Sequence, residues 1–264
     1  MTALLVGLVI GLVLGLTGAG GSLFAVPLLG LLLGLPLVQA TGIALGAVAV
    51  SAMLGVIQRR GVGIVWLPVS IILVGGVVLA PLGRWLAGYV PVMVLLGGFS
   101  LLAVWVSSRL WRDAAEPSST TEIRAEGAVD WSQTPPLLAS NGFWPSPILV
   151  QAIVAGMATG VLSGLLGVGG GFVIVPILTL VVGLTMAQAV TSSLLVIACV
   201  SLSGFAAHWW LHPGLDTTLL AQTSLGGMLG MSLGGLLGRR LAGAVLQRVF
   251  AIMLLATVPL LWWI

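Results

Sequence analysis

The chain is organised as long apolar blocks separated by short polar or turn-forming joins. Blocks fall near residues 3–16, 22–35, 38–57, 64–82 and 91–110, and a second set falls near 148–166, 170–184, 187–207, 218–237 and 245–263. None shows the strict apolar–polar alternation of a barrel strand, so the blocks predict helices. Blocks of about fourteen residues reach only about 21 Å at 1.5 Å per residue, short of the roughly 30 Å hydrocarbon core of a bilayer. The first two blocks of each set are therefore expected to form a re-entrant hairpin, or two short helices, and the next three to cross fully.

Between the sets the pattern breaks. Residues 113–147 hold five of the six acidic residues and several prolines, the composition of a solvated connector. The expected organisation is a membrane repeat over 1–112, a polar linker over 113–147 and a second repeat over 148–264.

The recurrence extends to the letters. Gly15-Leu-Thr-Gly-Ala-Gly-Gly-Ser-Leu-Phe-Ala-Val-Pro-Leu-Leu29 aligns without a gap on Gly164-Leu-Leu-Gly-Val-Gly-Gly-Gly-Phe-Val-Ile-Val-Pro-Ile-Leu178, with eight identities in fifteen positions. The same offset pairs Gln39-Ala40 with Gln188-Ala189. Further on, Leu82-Gly-Arg-Trp-Leu-Ala-Gly88 matches Leu237-Gly-Arg-Arg-Leu-Ala-Gly243 at all but one position.

Composition supports lipid as the main solvent. Hydrophobic residues make up 59%, charged residues 6%, and the mean hydropathy is +1.24. In hydrocarbon every backbone N–H and C=O needs an internal partner, which leaves an all-α integral membrane bundle. All nine basic residues are Arg, scattered in ones and twos rather than gathered into a patch, so nucleic acid is not an expected partner. The N-terminal MTALLVGLVI has no basic n-region and leads directly into repeated sequence, so it reads as mature protein.

The doubled glycine-rich segment followed by Val-Pro, GLTGAGGSLFAVP and GLLGVGGGFVIVP, resembles the TauE/SafE sulfite-exporter-like family of transmembrane proteins, and the resemblance covers nearly the whole chain outside the linker. It implies export of sulfite or a small organosulfur anion such as sulfoacetate. The first copy carries Ser22 where the second has Gly171, so the two segments are not chemically equal.

Arginines near helix ends accumulate on the cytoplasmic side. With a hairpin and three crossings per half, Arg59, Arg60, Arg109, Arg112, Arg124, Arg239, Arg240 and Arg248 fall on one side, leaving Arg84 on the other. That distribution favours inverted repeats in a bacterial cytoplasmic membrane, with the linker cytoplasmic and both termini outside. Two glycine tips then approach the midplane from opposite faces. Thr17, Gly18, Gly20, Gly21 and Ser22 form one, and Gly167, Gly169, Gly170 and Gly171 the other. Helix N-termini there would offer unpaired N–H groups to a small anion. Gln39, Thr41, Gln188, Thr191, Ser192 and Ser193 stand near the start of the next helices and could complete the site, or simply bond to nearby backbone. The run Gly226, Gly230, Gly234 and Gly238 reads as close helix packing.

Other chemistry has little support in the sequence. A lone Cys199 and the absence of His/Cys clusters or paired acids in the spans give no metal site, no cofactor and no enzyme. No carboxylate lies in a span to relay protons. His208 and His212, beside Trp209 and Trp210, read as interfacial anchors. An anion channel and a non-transporting structural subunit are the rival functions. The expected partners are the small anion and the lipid bilayer, with a homo-oligomer also compatible.

Overall fold

The computed structural model describes residues 2–18, 20–59, 66–86, 88–89, 91–115, 146–166, 186–212 and 214–238, with 174–175, 178, 184, 248, 251–252, 255–256 and 258–259. The second glycine tip, Gly167 to Gly171, and most of the linker lie outside the described residues, as does most of the blocks at 170–184 and 245–263. Among the described residues every regular element is a helix. We number the helices α1 (Thr2–Thr17), α2 (Gly20–Leu33), α3 (Leu37–Gln58), α4 (Trp66–Leu86), α5 (Val92–Ala115), α6 (Ser146–Leu166), α7 (Met186–Leu211) and α8 (Thr217–Gly238).

Stretches of α3, α4 and α7, over Val38–Gln58, Val69–Leu86 and Ala187–Leu211, are long and apolar enough to cross a membrane, whereas α1 is shorter. Local chemistry sets the ends. Gly18 and Gly34 take left-handed φ values of 73° and 63° just beyond α1 and α2, a conformation that costs glycine little. Asp216 caps α8, its Oδ1 accepting from the N–H groups of Thr218 (2.9 Å) and Leu219 (3.1 Å). Pro81 lies inside α4 and cannot donate to the carbonyl of Val77. The Ser203 hydroxyl of α7 donates to that oxygen instead, at 2.9 Å.

In lipid, apolar burial does not drive helices together, so they sort by size: small residues face neighbours and large ones face the bilayer. Helix α8 shows this sorting. Gly226, Gly230 and Gly234 lie against the backbone of Leu4, Leu8 and Leu12 so closely that a Cβ would collide with the carbonyl oxygens, while Leu225, Leu229, Leu233 and Leu236 are exposed. The packing role expected for that glycine run is what the structure has. From α1, Gly7, Gly11 and Gly15 answer it, lying on Thr223, Gly227 and Met231. Both series ascend together, so α1 and α8 run parallel. The pairing of α4 with α6 is built the same way: Gly156, Gly160 and Gly164 meet Ile72, Gly76 and Ala80, again in parallel.

Helices α3 and α7 cross between these pairs in the opposite sense. Gly55 meets Leu194 (3.1 Å from a Cβ) and Gly204 meets Leu45 (3.5 Å), so the series run antiparallel. These contacts are reciprocal. The offset of 149 that aligns the glycine segments carries Gly55 to Gly204 and Leu45 to Leu194. Exposed Trp66 and Trp111 mark one end of the bundle, and Trp85, Tyr89, Trp209 and Trp210 the other, as interfacial aromatics do.

Candidate functional site

The described glycine tip closes the hairpin of α1 and α2 and is wedged against α7. At Gly18 the N–H bonds to the Leu14 carbonyl (2.8 Å), and a Cβ would stand 2.6 Å from Val190 Cγ1 and 3.0 Å from its Cα. Glycine is needed there for the φ angle and for the close approach alike. Two residues later α2 begins and runs back along α1, with Gly21 pressed onto Ile10 and Leu14. Gly21 is therefore accounted for by packing. The first amides of α2, at Gly20 to Ser22, are those that any helix leaves without an intrahelical acceptor.

Two side chains from elsewhere secure the carbonyl end of α1. Ser193 Oγ lies 2.9 Å from the oxygens of both Gly18 and Val190, one proton serving two acceptors. Arg59, at 5% exposure, donates from Nη2 to the Gly15 oxygen at 2.9 Å. A cation at that position also suits the negative end of the α1 dipole. The tip thus joins the carbonyl end of one helix, held by Ser193 and Arg59, to the amide end of the next.

The remaining expected site residues divide between two places. Thr17 and Thr191 are buried and bond back along their own helices, to the Val13 (2.8 Å) and Ala187 (3.0 Å) carbonyls. Gln188 is half-buried at the start of α7, close to the tip in sequence register. Ser192 is fully buried and its hydroxyl finds no partner, so backbone bonding does not explain it. Thr41 and Gln39 are at the opposite end: Thr41 is buried, Gln39 is exposed, and the neighbouring Gly42 packs on His208. His208 lies fifteen residues beyond Ser193 along α7, about 22 Å at the helical rise. The described tip consequently sits roughly 8 to 13 Å from the middle of α7, towards Arg59. The reason is that α1 stays flush with α8 from Leu4 to Leu16, and this carries its end past the middle of the bundle.

One sequence expectation is corrected at that far end. His212, Trp209 and Trp210 are exposed, as interfacial anchors are, but His208 is fully buried. Its ring stacks on His212 at 5.0 Å between centroids, and neither of its nitrogens has a partner. It is part of the interior.

Sequence reasoning counted Arg59 only as an orienting charge and missed its contact with the tip. A signal was present, since the 149-residue offset places Arg59 on His208, a second nitrogenous side chain at the end of an otherwise apolar helix.

Comparison with known proteins gives the family. The profile of the family described as sulfite exporter TauE/SafE matches residues 3–259. A "Probable membrane transporter protein" of Xylella fastidiosa strain Temecula1 is 30% identical over 256 residues, covering 94% of this chain and 89% of that protein. Its counterpart in strain 9a5c is 29% identical over the same shares. No solved structure matches.

Proposed function

The chain belongs to the sulfite exporter TauE/SafE family and is a multi-pass membrane transporter, and from that premise we propose that it is a carrier exporting sulfite or a small organosulfur anion from the cytoplasm. The observation that carries this reading is the glycine hairpin end at Gly18 and Gly20. It presents helix amides next to the Gly18 oxygen that Ser193 holds and one turn from the Gly15 oxygen that Arg59 holds, without any carboxylate from the helices that build it. Backbone N–H groups at a helix start stabilise an oxyanion and demand no charged side chain in the bilayer.

The two halves are inverted repeats, each a hairpin and three crossings. The parallel α1–α8 and α4–α6 pairs and the reciprocal α3–α7 contacts support that relation. With the arginine distribution, this reading puts Arg59 and the linker on the cytoplasmic side and both termini outside. Gly167, Gly169, Gly170 and Gly171 are the second anion-binding segment in this reading.

The test is flux in proteoliposomes offered sulfite, sulfoacetate, thiosulfate, acetate and chloride. Saturable flux of the sulfur oxyanions, lost in folded Gly20→Leu and Gly169→Leu, is the expected result. Normal selective flux in both variants would remove the tips from the mechanism, and a fast ohmic conductance would make the protein a channel. Tags on the linker and the C-terminus check orientation: both proving cytoplasmic would overturn the inverted arrangement.

A further inference from the structure

At the end of the bundle away from Arg59, His208 is fully buried, and both of its ring nitrogens are sealed from solvent without a partner. A leucine or phenylalanine would fill the same space and leave no polar atom unsatisfied. Helix α3 makes room for the ring. A Cβ on Gly42 would stand 2.5 Å from His208 Nε2, and the aligned position of α7 carries Thr191 in place of the glycine. His212, exposed and stacked on the ring with 5.0 Å between centroids, leads from it to the surface. That separation is one that a bridging water covers.

Helix α4 brings a fixed charge alongside. Gly76 lies on Val200, and Ser203 bonds to the Val77 oxygen, so the two helices ascend together and the register carries Arg84 to the level of residues 208–210. Arg84 is half-buried, its Nε is sealed and partnerless, and its charge acts on the His208 ring. His212 is the other titratable group that acts on it. The neighbours from α3 and from the turn before α8 are Gly42 and Leu215, and Asp216 in that turn is engaged by the Thr218 and Leu219 amides. The 149-residue offset sets His208 against Arg59. One end of the bundle thus has a guanidinium that keeps its proton, and the other has an imidazole, the side chain whose charge changes near neutral pH.

We propose that His208 is a proton-binding site that couples proton movement to transport, loaded through His212 from its own end of the bundle. Sealed nitrogens exclude an ion with its hydration shell, whereas a proton reaches them by transfer along hydrogen bonds. The lone pair of the neutral imidazole takes the proton that His212 or an intervening water delivers, and the same route returns it. No other bond is made or broken. Two cations, Arg84 and a protonated His208, with no carboxylate between them are balanced only by an anion. Proton and anion therefore bind together, each strengthening the other by the same factor. The inference rests on the transport reading for its link to flux, but not for the proton site.

The chain has only two histidines, so NMR of histidine-labelled protein in detergent resolves both rings, with His208→Gln assigning them. The His208 ring is expected to titrate between about pH 6 and pH 8, and saturating sulfoacetate should move that titration upward by about half a pH unit or more. In proteoliposomes at clamped potential, the half-saturating sulfoacetate concentration on the His212 face should rise about tenfold across that range, and protons should enter with the anion. His208→Gln stays polar but cannot titrate, and is expected to lose proton entry and to hold half-saturation within about twofold at every pH. His212→Ala, at an exposed position, should slow proton entry severalfold and keep the pH dependence. A His208 ring whose charge stays constant, or whose titration sulfoacetate leaves in place, overturns the proposal whatever the flux. So does proton entry that survives His208→Gln. A titration that sulfoacetate shifts, in a protein with no flux, upholds the linked proton site and removes the transport reading alone.

Discussion

Beneath the first glycine tip α1 presents Ile10 and Leu14, both fully buried in the core. The aligned positions of the second half are Thr159 and Ser163, equally buried, with hydroxyls that find no partner. The third helix of each half repeats the contrast: Ile43 and Ala52 of α3 stand where α7 has Ser192 and Ser201, again buried and without partners. Meanwhile the glycines are shared, Gly7, Gly11 and Gly15 aligning on Gly156, Gly160 and Gly164. The duplication has kept its scaffold in both copies and has put orphan hydroxyls into one. Leaving a buried hydroxyl unsatisfied costs about 1–3 kcal/mol, so four of them are a substantial burden for packing alone to tolerate. A permeating anion or its waters would supply the missing partners.

The shared scaffold should be the most sensitive part of the molecule. A leucine at Gly230 or Gly160 drives a side chain into the backbone of α1 or α4, where nothing can yield by a rotamer change. Overpacking typically costs about 1–3 kcal/mol, and collision with backbone belongs at or beyond the upper end. Gly230→Leu and Gly160→Leu are expected to lower the thermal midpoint in mild detergent by at least about 10 °C or to prevent folding. Gly98→Leu, at an exposed site on α5 with nothing within 4 Å, should leave it unchanged. Equal tolerance of all three would mean that the two parallel helix pairs do not carry the fold.

The divergent hydroxyls should respond in the other direction. Removing a buried, partnerless Oγ from an inert core is neutral or stabilising. Ser192→Ala, and Thr159→Val combined with Ser163→Ala, are expected to hold or raise the thermal midpoint while cutting saturating anion flux about tenfold. Placing hydroxyls in the first half by Ile10→Thr should cost about 2 kcal/mol of stability and add no flux, because that position only fills the core. Full flux in the Ser192 and Thr159/Ser163 variants would reduce the asymmetry between halves to drift.

How far the sequence reached follows from the same contrast. Helix positions were legible because apolar blocks and glycine joins are local signals, and block edges fall within a few residues of the described helix ends. The packing of Gly226 to Gly238 was legible from strict spacing by four. Its partner face, Gly7 to Gly15, was not singled out, although the spacing is equally strict, since only contact tells which of 38 glycines meet which neighbour. The site was legible only in part. Gly18 and Ser193 come together across 175 residues, a pairing that no local pattern encodes. His208 was misread because its aromatic neighbours resemble an interfacial belt, and a helical step of 100° per residue is enough to turn it inward while Trp209 and Trp210 face outward.

Helix ends offer a smaller test. Asp216 is the single cap of α8 through two amide bonds, and the helix belongs to both the α1 and the α3 interfaces. Asp216→Ala should cost about 1 kcal/mol in unfolding measurements, whereas Asp216→Asn should cost only a few tenths. A much larger loss from both would point to a role for the carboxylate beyond capping.

The last expected effect separates α4 from α8, its counterpart in the other parallel pair. Helix α8 has no proline and needs no outside donor, but Pro81 leaves the Val77 carbonyl of α4 to Ser203. Ser203→Ala should destabilise the parent protein by about 1 kcal/mol, the net worth of one hydrogen bond whose acceptor sits in a site that water does not reach. Pro81→Ala restores an N–H aimed at Val77 along the helix, so the Val77 oxygen no longer depends on α7. In that background Ser203→Ala should cost close to nothing, and the double-mutant cycle should return a coupling of about 1 kcal/mol between two residues that share only an acceptor. Strict additivity would show that the Ser203 bond joins the helices without compensating for the proline.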